Sequence, residues 1–428
     1  MPAAQLSPAA MDAARRRSRA TLVAGVALGS TGHIAAVTVA TIVAKDLLGS
    51  QALAGAPGAS VVLGAALGAV LLSALMARRG RRIGLVTGYS VGVVGALVAT
   101  AAVIMRSFPL LLLGTVLIGF GNTSNQLSRY TAADMVPTER RASAIGLVVW
   151  AATVGSVVGP WLVPIASDMA ASVGLPPLAG PYLVPVLFVG LAAVMSFAGL
   201  RPDPYDLAHE TNQADPDVEP PVAGSAWSIV RRPAVAAAIV ALVVGQFVMV
   251  LVMTMTPLHM TEHGHGLGAV GLVLSGHTLG MYARSPISGR LTDRLGRVPT
   301  IFIGTAVLAV SSLMAAAAPP DGGFVLLLAL FLLGLGWNLG FVAGSALLSD
   351  NLELHERTRV QGVADAMIWS SAAAAALGSG LIMAAVGYTA LGVLGAGAVI
   401  IPVVVLRSHH RATSRAAAAD AAASVPLP

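Results

Sequence analysis

Apolar residues run along this chain in long blocks, broken by short polar segments, with none of the alternation that marks strands. A membrane-spanning helix needs about 20 mostly apolar residues. Twelve stretches meet that need: 20–43, 54–77, 83–105, 108–131, 142–166, 180–200, 233–258, 267–288, 298–317, 323–348, 360–385 and 388–406. Residues 201–232 break the pattern, and their stretch RPDPYDLAHETNQADPDVEPP holds six of the 19 acidic residues and several prolines. Such a composition predicts a linker with little intrinsic structure. The expected organisation is a tail (1–19), a six-helix bundle (20–200), the linker (201–232), a second six-helix bundle (233–406) and a second tail (407–428). The Ala-rich ends, 1–14 and 408–428, are expected to fray. The fold class is therefore an all-α integral membrane protein.

Composition narrows the function. Of 428 residues, 56% are hydrophobic and 10% charged, whereas soluble domains carry about 25% charged residues. This excludes an ordinary soluble enzyme, a nucleic-acid binder and a disordered chain. The net charge of +6 needs no nucleic acid to explain it, because membrane proteins concentrate Arg and Lys on one side of the bilayer. With the N-terminus cytoplasmic, 22 of the 25 basic residues fall on the inner side and only Lys45 and Arg106 on the outer, leaving Arg284 inside the eighth segment. That asymmetry supports twelve spans with both termini inside, in a bacterial-type plasma membrane. Arg15–Arg17 before an apolar run resemble a signal sequence, but the run is long and reads as an uncleaved first span. The absence of cysteine removes disulfide and thiolate-metal chemistry.

The halves repeat. Residues 73–81 match 289–297 at an offset of 216, Thr138–Arg141 with Gly146 match His355–Thr358 with Gly362 at offsets near 217, and Gly119-Phe120 match Gly336-Trp337 at 217. An even number of spans per half makes this a parallel repeat about an axis along the membrane normal. Gly289, Asp293, Arg294, Gly296 and Arg297 form the run GRLTDRLGR. With these residues the chain resembles the major facilitator superfamily of secondary transporters over nearly its whole length. The run matches that family's loop motif between the second and third helices of a half. In the first half Gly80 and Arg81 fit, while Ser73 and Ala77 replace the usual Gly and Asp. Gly146, Gly155, Gly159 and Pro160 match the family's antiporter motif, associated with exporters, without its trailing Gly pair. Thr115 stands where the family's proton-coupling motif has Arg.

The loop motif has a physical reading. Asp293 can face the positive N-terminus of a neighbouring helix, and Arg294 and Arg297 can pair with Asp350 at the end of the tenth span. The expectation is a charge lock that gates one side; the alternative is that these charges only retain topology. Asp134, Arg140 and Arg141 are expected to form an analogous cluster with Arg78 or Arg81, incomplete because of Ala77. Gly155, Gly159 and Pro160 are expected to thin and bend the fifth span where the halves meet.

Ionisable groups inside a span are costly and functional by default. Asp365 lies in the eleventh span and Arg284 near the inner end of the eighth, and the two are expected to pair. Asp365 alternatively carries the coupled proton. His33, mid-span in the first helix, is a candidate proton carrier or a hydrogen-bonded packing residue. In the family the first, fourth, seventh and tenth helices line the cavity, which makes Asn122, Gln126, Arg129, Gln246, Trp337 and Asn338 candidate liners. Asn122, Gln126 and Arg129 share a helical face. Arg129 reads either as an anion-favouring group or as a cytoplasmic anchor. His259, Glu262, His263 and His265 cluster outside the seventh span, as a polar outer loop, a pH-sensitive gate or a metal site; no completed ligand set is evident, and no metal or cofactor is expected. No Walker loop or hydrolase motif appears, so an enzyme is not expected. The resulting expectation is a monomeric twelve-helix secondary transporter whose partners are the lipid bilayer, a small-molecule substrate and a coupling proton. Its expected role is export of a small amphipathic compound, with uptake of a polar metabolite or a non-transporting sensor as alternatives.

Overall fold

In the computed structural model, the residues described are 7–48, 53, 55–211, 226–265, 267–319 and 323–408. The first half contributes α1 (Pro8–Leu48), α2 (Ala56–Arg79), α3 (Arg81–Ile104), α4 (Phe108–Asp134), α5 (Arg141–Ser172) and α6 (Gly180–Gly199). Two short helices follow, α7 (Pro204–Thr211) and α8 (Ala226–Val230). The second half holds α9 (Pro233–Met253) continued by α10 (Thr256–Glu262), then α11 (Leu267–Tyr282) with α12 (Ser285–Leu295). It closes with α13 (Arg297–Ala316), α14 (Gly323–Asp350), α15 (Leu354–Val386) and α16 (Tyr388–Ala398). The helix of α16 resumes after Val399 and reaches Ser408.

These elements make twelve crossings in two six-helix halves. Among the described residues, ten are long and apolar enough to span a bilayer, with α9 and α10 taken together and α16 followed to Ser408. The other two depart for physical reasons. The second half of α4 is polar, carrying Asn122, Asn125, Gln126, Arg129 and Asp134. The eighth crossing is broken at Ala283–Arg284 between α11 and α12, where the continuous span 267–288 was expected.

Small residues set the packing inside each half. In lipid no hydrophobic force draws helices together, so close van der Waals approach must do so. Gly64 lies against the Val116 carbonyl and Phe120, and Gly119 against Val61, so that any side chain would collide where α2 crosses α4. The repeat also appears in the backbone. Gly80 and Gly296, 216 residues apart, both take positive φ, at 88° and 96°. Each lets two helices meet with no intervening loop, a conformation that residues with a Cβ rarely adopt.

Two expectations are corrected at the edges. The tail does not fray from residue 14: α1 starts at Pro8, and Met11, Ala14 and Ser18 are buried. The linker is not structureless throughout. Asp203 caps both α3 and α7, accepting from the backbone N–H groups of Arg81 and Arg82 at 3.0 Å each and of Tyr205 at 2.9 Å. Leu207 and Ala208 are buried beneath the first half. Residues 212–225 and 409–428 lie outside the described residues.

Candidate functional site: a two-sided cavity above a charge network

The halves touch at the end that carries the arginine-rich loops. There α2 packs on α15 and α5 packs on α12. Gly146 sits on the Ser285 carbonyl, Gly289 on Ala142, and Gly362 on Ser73. Two ion networks seal this contact. In the first, the Asp293 carboxylate accepts from the backbone N–H groups of Ala142 and Ser143 at 3.2 and 2.9 Å, across the interface. These are free donors at the start of α5, where the helix dipole favours a negative charge. Arg297 donates to Asp293 at 2.8 Å and to Asp350 at 3.0 Å, and also to the Thr138 carbonyl. Arg141 of the first half reaches the same Asp350 at 2.8 Å. In the second network, buried Arg81 donates to Asp134 at 2.6 Å and to Gln361 of the second half at 2.8 Å. Arg357 completes it from α15, donating to Asp134 at 3.3 Å.

Beyond these contacts a cavity of about 880 Å³ separates the halves. Its floor is a buried ion pair: Arg129 on α4 donates to the Asp365 Oδ1 on α15 at 2.6 Å, and both side chains are 2% exposed. The Tyr130 hydroxyl donates to the same oxygen at 3.3 Å, leaving Asp365 Oδ2 buried without a partner. Burying an ion pair is costly unless its remaining lone pairs are satisfied, so this unpaired oxygen marks a position poised to accept a donor. The cavity extends along α1, α5 and α15 toward the end opposite the charge networks, where Val37, Trp161 and Ala376 line it.

Both walls mix polar and apolar groups. The first half gives His33, Asn122, Gln126, Thr153 and Ser156 among Val26, Ile34 and Val149; the second gives Met249, Met253, Ile368 and Trp369 beside Ser275, Thr278 and Tyr282. Gln246 lines the cavity and accepts from Trp337 Nε1 at 2.8 Å, while Trp337 stacks on Phe341 at 4.5 Å. His33 keeps an unpaired Nδ1. His277, absent from the expected liners, also stands in the wall; its Nδ1 donates to the Leu330 carbonyl at 2.8 Å.

Several expected placements change. Asp365 pairs with Arg129, not with Arg284. Arg284 is exposed at the helix break, with its guanidinium 5.6 Å from the Phe331 ring centre. Arg129 is accordingly no surface anchor. Arg294 is exposed and leaves Asp350 to Arg297 and Arg141. Asp134 holds Arg81 and Arg357, while Arg141 crosses to the other half and Arg140 and Arg78 stay exposed. Asn338 is fully buried away from the cavity, donating to the Met281 carbonyl and the Ser285 hydroxyl at 2.7 and 2.6 Å. It supplies partners at the break in the eighth crossing. Gly155 and Gly159 pack on Ser30, Thr31 and Ile34 of α1 inside the first half, not between the halves. The helix of α5 continues through Pro160, which lines the cavity. His259 stacks on Tyr388 at 4.2 Å and its carbonyl accepts from His263 Nδ1. Among the described residues no three metal-ligating side chains gather.

Comparison with known proteins places this architecture. The sequence model of the Major Facilitator Superfamily matches residues 20–283 and again 260–427. The chain is 39% identical over 381 residues to the MFS-type transporter YdeG of Bacillus subtilis, covering 88% of each chain. It is 29% identical over 381 residues to the riboflavin transporter RfnT of Brucella anthropi, covering 88% of this chain and 91% of that one. Among solved structures, the human organic anion transporter MFSD10 superposes with a TM-score of 0.71 at 17% identity, covering 92% of this chain and 99% of that one. FucP in its outward conformation superposes with a TM-score of 0.71 at 16% identity, covering 91% and 97%.

Proposed function

Because the chain belongs to the major facilitator superfamily and is a multi-pass membrane transporter, we propose that it exports a small amphipathic compound in exchange for a proton. The halves rock about the cavity so that it faces each side of the membrane in turn. In this reading the arginine-rich end is cytoplasmic, as the positive-inside rule requires, and the structure is the outward-facing state.

The observation that carries the reading is the Arg129–Asp365 pair at the cavity floor, with its unpaired carboxylate oxygen. Opening the cytoplasmic end pulls α4 away from α15. Separating the charged pair in a low-dielectric site leaves two buried charges uncompensated. A proton entering from the outside onto Asp365 removes one of them and lets the halves part. On the inside the proton leaves, substrate binds, and closure restores the pair. The direction rests on Gly146, Gly155, Gly159 and Pro160, whose spacing resembles that of exporters. A second reading, proton-linked uptake, uses the same pair with substrate and proton loaded together from outside. Thr115, where Arg is usual in the family's coupling motif, leaves this reading in play.

Inside-out vesicles with an imposed proton gradient and a compound panel separate these readings; the relative named as a riboflavin transporter puts riboflavin in that panel. Compound-dependent collapse of the gradient, absent with Asp365→Asn, supports antiport through this pair. Collapse that persists in Asp365→Asn moves the proton to His33. Substrate flux inward with protons, in right-side-out vesicles, decides for uptake.

A further inference from the structure

The polar wall of the cavity has a sense of direction that its composition hides. Asn122 and Gln126 stand one turn apart on α4 and both face the cavity. Each amide oxygen already accepts a hydrogen bond from within α4. Arg129 Nη1 donates to Gln126 Oε1 at 3.2 Å, and since a guanidinium can only donate, this fixes the Gln126 amide. A second chain of bonds orients Asn122: the Tyr89 hydroxyl donates to Asn125 Oδ1 at 3.0 Å, and Asn125 Nδ2 donates to Asn122 Oδ1 at 2.9 Å. What remains free toward the cavity is the N–H₂ group of each amide. The wall therefore offers two donors from helix positions i and i+4, whose Cβ atoms lie about 5–6 Å apart. Met249, Met253 and Ile368 of the second half give the same cavity an apolar patch, beside Gln246, Thr278 and Tyr282. Arg129 and Asp365 neutralise each other, so the outward-facing cavity has no net charge to attract an ion.

We propose that the substrate is an uncharged, amphipathic ring compound with two acceptor oxygens at opposite edges, bound by Asn122 Nδ2 and Gln126 Nε2. Its apolar face lies on the second half. A cation gains no net attraction here, because Arg129 and Asp365 offset each other. This inference rests on the cavity being the substrate site of the proposed transporter. It needs neither a direction nor a coupling ion.

The test is equilibrium dialysis of the purified full-length protein in detergent against protein-free micelles. Three probes share an apolar body and differ in polarity: 1,4-naphthoquinone with two ring carbonyls, naphthalene with none, and the tetraphenylphosphonium cation. With no cysteine in the chain, the quinone meets no thiol to alkylate. The expected result is naphthoquinone binding at least tenfold tighter than naphthalene. Asn122→Asp and Gln126→Glu, which turn donors into acceptors at constant shape, should each weaken the quinone about tenfold. They should also strengthen tetraphenylphosphonium and leave naphthalene unmoved. Should either variant fail to fold, Gln126→Leu tests the same donor and should weaken only the quinone. Equal binding of quinone and naphthalene, or quinone binding indifferent to these substitutions in folded protein, overturns the proposal. Neither result touches the vesicle experiment, which reads gradients and not affinity.

Discussion

Arg129 and Asp365 lie 236 positions apart in sequence and 2.6 Å apart in space, one on each half of the molecule. Removing one partner of a buried pair costs about 3–5 kcal/mol, whereas replacing both by apolar groups is often neutral or stabilising. Asp365→Ala should therefore lower the thermal midpoint in detergent by several degrees, and Arg129→Met with Asp365→Leu should restore it. Neither variant should recover proton-linked transport. A double variant no more stable than the single one would show that the pair is not the source of the loss.

Asp293 ties the second half to the first turn of α5. A charged group capping a helix start is worth about 0.5–2 kcal/mol. Asp293→Asn should shift the population away from the state with this end closed by about two- to thirtyfold. The chain contains no cysteine, so a single Ala376→Cys at the cavity mouth gives a clean label site. Labelling with a membrane-impermeant maleimide should slow in the Asp293→Asn background. An unchanged labelling rate would remove Asp293 from the closure.

Gly146 and Gly362 allow the halves to meet at backbone distance, against Ser285 and Ser73 respectively. Gly146→Val places a branched side chain where the Ser285 carbonyl stands. The outward-facing contact should then fail to close, with at least a tenfold fall in transport at normal membrane abundance. The same substitution at Gly378, which has no neighbour within 4 Å, should leave transport within twofold. Similar effects at the two positions would mean that the clash at Gly146 is relieved elsewhere.

Asp203 holds three backbone N–H groups at the junction of α3 and α7. Losing such a cap costs about 1 kcal/mol. Asp203→Ala should lower the thermal midpoint by a few degrees and speed proteolysis after residue 203, while Asp206→Ala, on an outer turn of α7, should do neither. Equal proteolysis of the two variants would deny Asp203 an anchoring role.

Much of the fold was legible because lipid imposes a simple code. Spans must be apolar, and arginines must sort to one side. The repeat of Gly80 and Gly296 was visible for a related reason: a positive φ tolerates little else. The site was less legible. Arg129 reads from sequence as a cavity liner or a cytoplasmic anchor because it lies near the end of α4, and only the packing of α4 against α15 brings Asp365 to it. Arg284 seemed the better partner because it shares a half with Asp365, but the break after Tyr282 leaves it facing outward. The glycines of α5 carry no sign of which neighbour they approach, so α1 could not be told from the other half. Asn338 offered amide groups to any reader of a cavity, yet the Met281 carbonyl at the end of α11 and the Ser285 hydroxyl take its N–H donors. The linker hid its order because Asp203 acts through three N–H groups that no side-chain pattern records.

The ion pair at the cavity floor also bears on leakage. A carrier whose halves part freely when empty dissipates the gradient that drives it. Here an unprotonated, unloaded molecule must pull Arg129 from Asp365 before the far side opens. At about 3–5 kcal/mol, that separation slows idle cycling by roughly two to four orders of magnitude. On the proton-linked reading, the contact that accepts the proton also suppresses slip, and thrift in the use of the gradient becomes a property of one bond between the two halves.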